Sequence, residues 1–177
     1  MTRGIYNNNP LNIRYQKRNN WEGKVTKKGV PSATCCDGES GGTSRLPIKQ
    51  SGIGPCDLVA ERDKMDEQFE EFISMYYGFR AAIRLMENYI RDGHNTINAI
   101  VRRWAPPTEN DTQGYLRNVT YWTQMGGNEN IAIGSQQMKQ LIWSMALVES
   151  GQEIKDYLPS YEKAWTNYFN TEIARRV

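Results

Sequence analysis

The stretch from Met138 to Gly151 ends in a carboxylate where the pattern of a helix calls for an apolar residue. Met138, Leu141, Ile142, Met145 and Glu149 recur at helical spacing, so all five share one face. A carboxylate on a core-facing stripe is costly to bury ionised, and that is how a protein makes a general acid of Glu near neutral pH. Ser150 and Gly151 then supply a helix stop, which sets Glu149 at a helix end that a cleft can reach. The same position also suits an ordinary solvated residue of a last helical turn.

A second carboxylate, Glu109, follows the rigid pair Pro106-Pro107, with Tyr115 one or two turns later. Its segment also reads as simple helix capping, because Thr108, Asp111 and Thr112 lead into the next helical pattern. Asp37 and Glu39 are further carboxylates, set in a loop. Thiol chemistry is a separate possibility: a cysteine amidase or peptidase would pair Cys35 or Cys36 with His94, the one histidine. Such catalysis needs the base beside the thiolate, and nothing in the spacing brings them together. Vicinal cysteines rarely bond to each other, so a disulfide would join Cys56 to Cys35 or Cys36 and close a loop of about 20 residues. Such a bridge suits a periplasmic or extracellular working place. A zinc site is not expected, since no second cysteine pair accompanies the single histidine.

At 177 residues the chain is long enough for one domain with a real core, and 38% apolar against 24% charged residues marks it as globular. No apolar run is long enough to cross a membrane, and the first residues lack the apolar core of a secretory signal, so membrane insertion is not expected. A net charge of +2 is too balanced to argue for nucleic acid, yet it suits a weakly anionic polymer such as a bacterial cell wall. Five Trp and ten Tyr exceed what a small core needs; Trp21 and Trp104 in particular can stack on sugar rings or pack inside.

These groups must be positioned by a mainly helical chain. Residues 1–24 are polar and turn-rich, with a turn at Asn7-Asn8-Asn9-Pro10, a short extended piece from Leu11 to Tyr15, and a second turn at Trp21-Glu22-Gly23-Lys24. Residues 27–66 form a cysteine-containing insertion of loop composition. Helix is expected from Gln68, with Phe79, Ile83, Met86 and Ile90 on its apolar face and an end near Asp92-Gly93. Asn95 is the expected cap of a helix striped by Ile97, Ile100, Val101 and Trp104, which Ala105-Pro106-Pro107 stops. A further helix carries Tyr115, Val119 and Trp122 on one side, Gly126-Gly127-Asn128 breaks it, and Ser135 caps the helix bearing Glu149. Residues 152–177 read as a polar connector and a last helix, a C-terminal extension with Tyr161, Ala164, Trp165 and Tyr168 at helical spacing.

Four segments together resemble the lysozyme-like superfamily, specifically the flagellar-type β-N-acetylglucosaminidases and their transglycosylase relatives. Their Ala-x-x-Glu-Ser-Gly helix end, which holds the catalytic acid, is matched by Ala146 to Gly151. Their Asn-Asn-x-x-Gly/Asn-Ile-Lys/Arg segment and Trp-x-Gly turn are similar to Asn8 through Arg14 and Trp21-Glu22-Gly23. Their Phe-x-x-Tyr/Phe-x-Ser phrase resembles Phe69 through Ser74, and their Tyr-Ala-Thr-Asp-Pro-x-Tyr phrase loosely resembles Trp104 through Glu109 with Tyr115 after it. In those enzymes the Glu-Ser-Gly helix comes first; here it comes last. The resemblance therefore implies a single lysozyme-like domain over 1–177, mainly α (α+β) with a small irregular or β lobe, and circularly permuted. Permutation is physically cheap where chain ends lie close together.

A broader resemblance runs along nearly the whole chain. Arg3 through Pro10, Tyr77 through Ala81 and Arg103 through Thr112 look like a family of phage and prophage virion-associated proteins, whose core ends in a Glu-Asn/Ser-Gly phrase. The 27–66 insertion stands where that family has a short link.

These resemblances imply a peptidoglycan hydrolase that cuts the glycan strand, with Glu149 protonating the glycosidic oxygen and no metal or cofactor. The second group is left open between a carboxylate such as Glu109 and the substrate's own acetamido group. Tyr115 would steady the acetamido group or intermediate, or else simply pack in the core. Asn9, Asn12 and Arg14 would line the cleft or brace Glu149, and Trp21 and Trp104 would bind sugar. The setting is either a phage-borne wall-piercing enzyme or an antibacterial effector delivered by a contractile machine such as type VI secretion, met in the producer by an immunity protein. Either is made in the cytoplasm and acts at the target's periplasm or wall. A phage structural or wall-binding protein that kept the shape without the reaction is the non-enzymatic alternative.

Overall fold

A computed structural model of the protein describes residues 2–25 and 66–174. The insertion up to residue 65 lies outside them, and with it Cys35, Cys36, Cys56, Asp37 and Glu39. Among the described residues six helices follow in order: α1 (Arg3–Tyr6), α2 (Met75–Arg91), α3 (Ile97–Trp104), α4 (Thr112–Thr123), α5 (Gln136–Ser150) and, after a 3-10 segment over Gln152–Tyr157, α6 (Leu158–Ala174). The expectation of a mainly helical protein holds.

α5 is the spine. Ser135 caps it by accepting from the Met138 amide at 3.1 Å, and Met138, Leu141, Ile142 and Met145 are fully buried along one stripe. Each such side chain contributes roughly 1.5–3 kcal/mol through the apolar surface it removes from water. α4 lies along α5, and α2 along α6. Between those pairs, Tyr161 stacks on Trp143 at 5.4 Å and meets Phe79 at 4.8 Å, while its hydroxyl donates to the Lys139 carbonyl at 2.7 Å. The C-terminal segment thus contributes Tyr161, Ala164 and Tyr168 to the common core.

Three local expectations need correction. Helix does not begin at Gln68: residues 68–73 are extended, and α2 starts at Met75. Their backbone pairs on two sides, with Glu70 N–H donating to the Ile13 carbonyl at 2.8 Å and Ile73 N–H to the Gly23 carbonyl at 2.9 Å. Antiparallel bridges form at Arg14 with Phe69 and at Lys24 with Phe72, the β content of the small lobe among the described residues. Hydrogen bonds to two remote segments outweigh a local helical period. The cap of α3 is Thr96, whose hydroxyl accepts from the Ala99 amide at 3.2 Å, rather than Asn95, whose carbonyl instead receives the Ile131 amide at 2.7 Å. Finally, Trp122 is 43% exposed, because α4 turns Leu116, Val119 and Thr123 inward instead. α1, a single turn too short to show a period, is an element that pattern reading passes over.

Candidate active site

Glu149 stands in the last turn of α5, and the chain's beginning is docked against that helix end. Ser150, wholly buried, donates its hydroxyl to the Pro10 carbonyl at 3.1 Å, and the Thr2 hydroxyl donates to the Ser150 carbonyl at 3.3 Å. The approach is close enough that a Cβ on Gly4 would sit 2.4 Å from Ser150 Oγ and 2.9 Å from the Asn9 carbonyl. On the other side, a Cβ on Gly78 would lie 2.0 Å from the Asn8 carbonyl, so α2 touches the same loop backbone to backbone.

The asparagine run shapes that loop. Asn8 and Asn12 hold left-handed backbone at φ 52 and 50, a region where asparagine is several-fold enriched. Asn9 is wholly buried: its Nδ2 donates to the Ile13 and Glu70 carbonyls at 3.0 and 2.9 Å, and its Oδ1 accepts from the Ile13 amide at 2.8 Å. Its work is to tie the loop to the extended 68–73 segment, and it contacts neither the cleft nor Glu149. The conformation it fixes delivers Asn12, whose Nδ2 donates to Glu149 Oε2 at 3.0 Å. Asn12 Oδ1 is buried without a partner.

Two more donors reach the other carboxylate oxygen. The Trp104 indole, at the end of α3, donates to Glu149 Oε1 at 2.8 Å, and the Tyr115 hydroxyl, in the first turn of α4, donates to the same atom at 3.1 Å. The connection between those helices is fixed at both ends. Thr112 Oγ1 donates to the Ala105 carbonyl at 2.6 Å, and the Asp111 carboxylate caps α4 through the Gly114 amide at 2.9 Å. Burial first, and then the Glu149 charge, push the Tyr115 phenol well above its ordinary value, so it remains a neutral donor.

Asn12, Trp104 and Glu149 line a cleft of about 650 Å³ together with Arg14, Trp21 and Glu109. Six of the eight residues that the glycosidase reading of the sequence assigns to the site therefore share one concavity, Tyr115 reaches it through Glu149, and Asn9 supports it from below. Glu109 sits on the exposed rim, paired with Arg14 at 2.6 Å. Tyr89 and Arg103, not proposed as site residues from the sequence, complete the wall, with the Arg103 guanidinium 5.1 Å over the Tyr89 ring. Trp21 divides this cleft from a smaller cavity of about 270 Å³ bordered by Arg80, Arg84 and Tyr168. His94 does not line the cleft; its ring stands edge-on to that of Tyr89, centroids 6.3 Å apart.

Trp104 has a role beyond the two considered for it: its N–H is committed to the carboxylate, while its half-buried ring lines the cleft. Ser150 and Gly4 escaped sequence reasoning as working parts; the Glu-Ser-Gly phrase carried the signal for Ser150, and only the fold explains it. Among the described residues no group of three or more His, Cys, Asp or Glu is placed to hold a metal ion, and no helix is long and apolar enough to cross a membrane.

No protein-family profile matches the chain. It is 31% identical over 114 residues to Protein P5 of Pseudoalteromonas phage PM2, a match covering 63% of this chain and 70% of that protein. At that identity and coverage, the chain belongs to the family of Protein P5 of this phage.

Proposed function

We propose that the protein is a glycosidase that cuts the glycan strand of peptidoglycan, with Glu149 as the general acid. The observation that carries this reading is the convergence of Asn12, Trp104 and Tyr115, from three separate elements, on one carboxylate at the floor of a cleft. A carboxylate needed only for solubility has no use for such a frame, whereas an acid must be held within reach of one substrate oxygen. Protonation of the glycosidic oxygen lets the C1–O bond break with its electron pair on that oxygen. The positive charge left at C1 is then quenched by water, whose proton returns to Glu149, or by the substrate's acetamido carbonyl before water enters. Glu109, on the rim beside Arg14, is the carboxylate available to orient that water.

The lysozyme-like, permuted form of the fold belongs to the same proposal. The Thr2 hydroxyl on the Ser150 carbonyl places the start of the chain against the end of the Glu149 helix. A reversed order of the two motifs requires that proximity. The kinship with a phage protein favours a phage-borne wall enzyme over a secreted effector guarded by an immunity protein.

Purified peptidoglycan digested by wild type and by Glu149→Gln, with products read by mass spectrometry, tests the reading. Soluble muropeptides from wild type and a drop of about 10²- to 10⁴-fold in the variant are expected. Reducing or anhydro ends then distinguish hydrolase from lytic transglycosylase. Equal activity in the two proteins removes Glu149 as the acid. Peptides freed from intact glycan point to an amidase or peptidase, and wall binding without products points to a structural role.

A further inference from the structure

Glu149 has two oxygens, and their surroundings are unequal. Oε1 accepts from both the Trp104 indole and the Tyr115 phenol, at 2.8 and 3.1 Å. An indole nitrogen can only donate, so with the phenol also donating, a protonated Oε1 would have to accept two hydrogen bonds while bearing its own proton. The phenol yields only at a cost: Glu149 Oε1 is its one hydrogen-bond acceptor among the described residues, so turning to accept would leave its own hydrogen without an acceptor. Oε2 meets a single donor, Asn12 Nδ2, at 3.0 Å. A carboxylic acid oxygen can accept one hydrogen bond while bearing its own proton, so Oε2 tolerates Asn12 in both states.

From this asymmetry, and resting on the glycosidase reading above, we propose that Trp104 and Tyr115 are positioning residues that confine the transferable proton to Oε2 of Glu149. Oε1 is the anchored oxygen, and Oε2 is the one that serves substrate. The arrangement removes the two-fold ambiguity of a carboxyl group: rotation by half a turn would set a hydroxyl against two donors. Trp104 accordingly acts through Glu149.

The anchoring has a readout that needs no substrate. In the full-length protein labelled with ¹⁵N, the Trp104 indole N–H resonance, assigned with Trp104→Phe, should stay near its wild-type position in Glu149→Gln. That carboxamide still offers its oxygen to the two donors, and its nitrogen meets Asn12, whose amide can turn to present its unpartnered Oδ1. In Glu149→Leu the same resonance should move to that of an indole without an acceptor, with the remaining Trp resonances in place to report an intact fold. Equal displacement in both variants would overturn the proposal. On peptidoglycan, Trp104→Phe and Tyr115→Phe should each lose about 10- to 100-fold in kcat with KM within about twofold of wild type. An unchanged kcat, or a loss confined to KM as a stacking role requires, would also overturn it. A wild type that releases nothing from the wall refutes the glycosidase reading by itself, and the indole pattern still decides whether Oε1 is the anchored oxygen.

Discussion

Gly4 and Ser150 show how a residue without reactive chemistry sets the geometry of one that has it. Neither touches the cleft, yet the Ser150 hydroxyl on the Pro10 carbonyl and the missing Cβ of Gly4 fix the height of the loop that presents Asn12. Gly4→Ala would push a methyl to 2.4 Å from Ser150 Oγ and 2.9 Å from backbone, and only the hydroxyl end can yield. We expect a loss of about 1–3 kcal/mol in unfolding free energy, the usual cost of overpacking. The fall in wall-degrading kcat should be larger than partial unfolding explains when both are measured at a temperature where the variant is folded. A variant that melts lower yet keeps full kcat would mean that Asn12 is not held through this contact. Asn9 teaches the complementary lesson: the Asn-Asn-x-x-Asn phrase marks the site in sequence, but Asn9 is a loop tie and Asn12 the carboxylate donor, and only the folded loop separates them.

At the scale of elements, α2 and α6 are joined by a buried polar lock. Glu87 accepts from the Tyr168 hydroxyl and from Arg91, with Arg84 nearby. Burial alone would raise the Glu87 carboxyl, but the bonds from Tyr168 and Arg91 and the charges of Arg91 and Arg84 outweigh it and hold it below the ordinary 4.5. Tyr168 responds in the opposite sense, pushed up to about 12 by burial and by its bond to Glu87. A carboxyl depressed by folding contributes stability above its unfolded value, and that contribution is lost as pH falls through the folded value. Denaturant melts should therefore show Tyr168→Phe weaker than wild type by about 1 kcal/mol at pH 7, with the gap closing in acid below pH about 4 as Glu87 takes up its proton. A gap independent of pH would place the effect in packing. The helices that carry the core were legible from sequence, because the apolar periods of α2, α3 and α5 and the Ser135 cap are local signals. The extended 68–73 segment was not, since its partners at 13–15 and 23–25 are supplied by a part of the chain far away in sequence. The site shows the same division: Glu149 stands out on its own helix, whereas the Trp104 and Tyr115 contacts exist only once α3 and α4 are packed.

For the molecule as a whole, one residue joins the two sides of the insertion. The Val25 amide donates to the Glu71 carbonyl at 2.8 Å, and the Asp66 amide donates to the Glu71 carboxylate at 2.8 Å. Asp66 is secured further by the Asn7 amide at 2.8 Å and by Arg3 at 3.3 Å. Despite the burial of Asp66, these partners and the amides of Gln68 and Phe69 keep its carboxyl below its ordinary value. The chain thus leaves and re-enters the helical body at adjacent points, a geometry that a short link can span as well as a long one. Asn12, Trp104 and Tyr115, the donors that hold Glu149, lie outside 26–65. Replacing 26–65 by a short Gly-Ser link should leave the melting temperature within about 4 °C of wild type, a change near 1 kcal/mol for a domain of this size. Muropeptide release should persist as well. A shortened chain that aggregates or loses helical signal would show that 26–65 completes the core, and one that folds but no longer cuts the wall would show that the cleft draws on it for substrate.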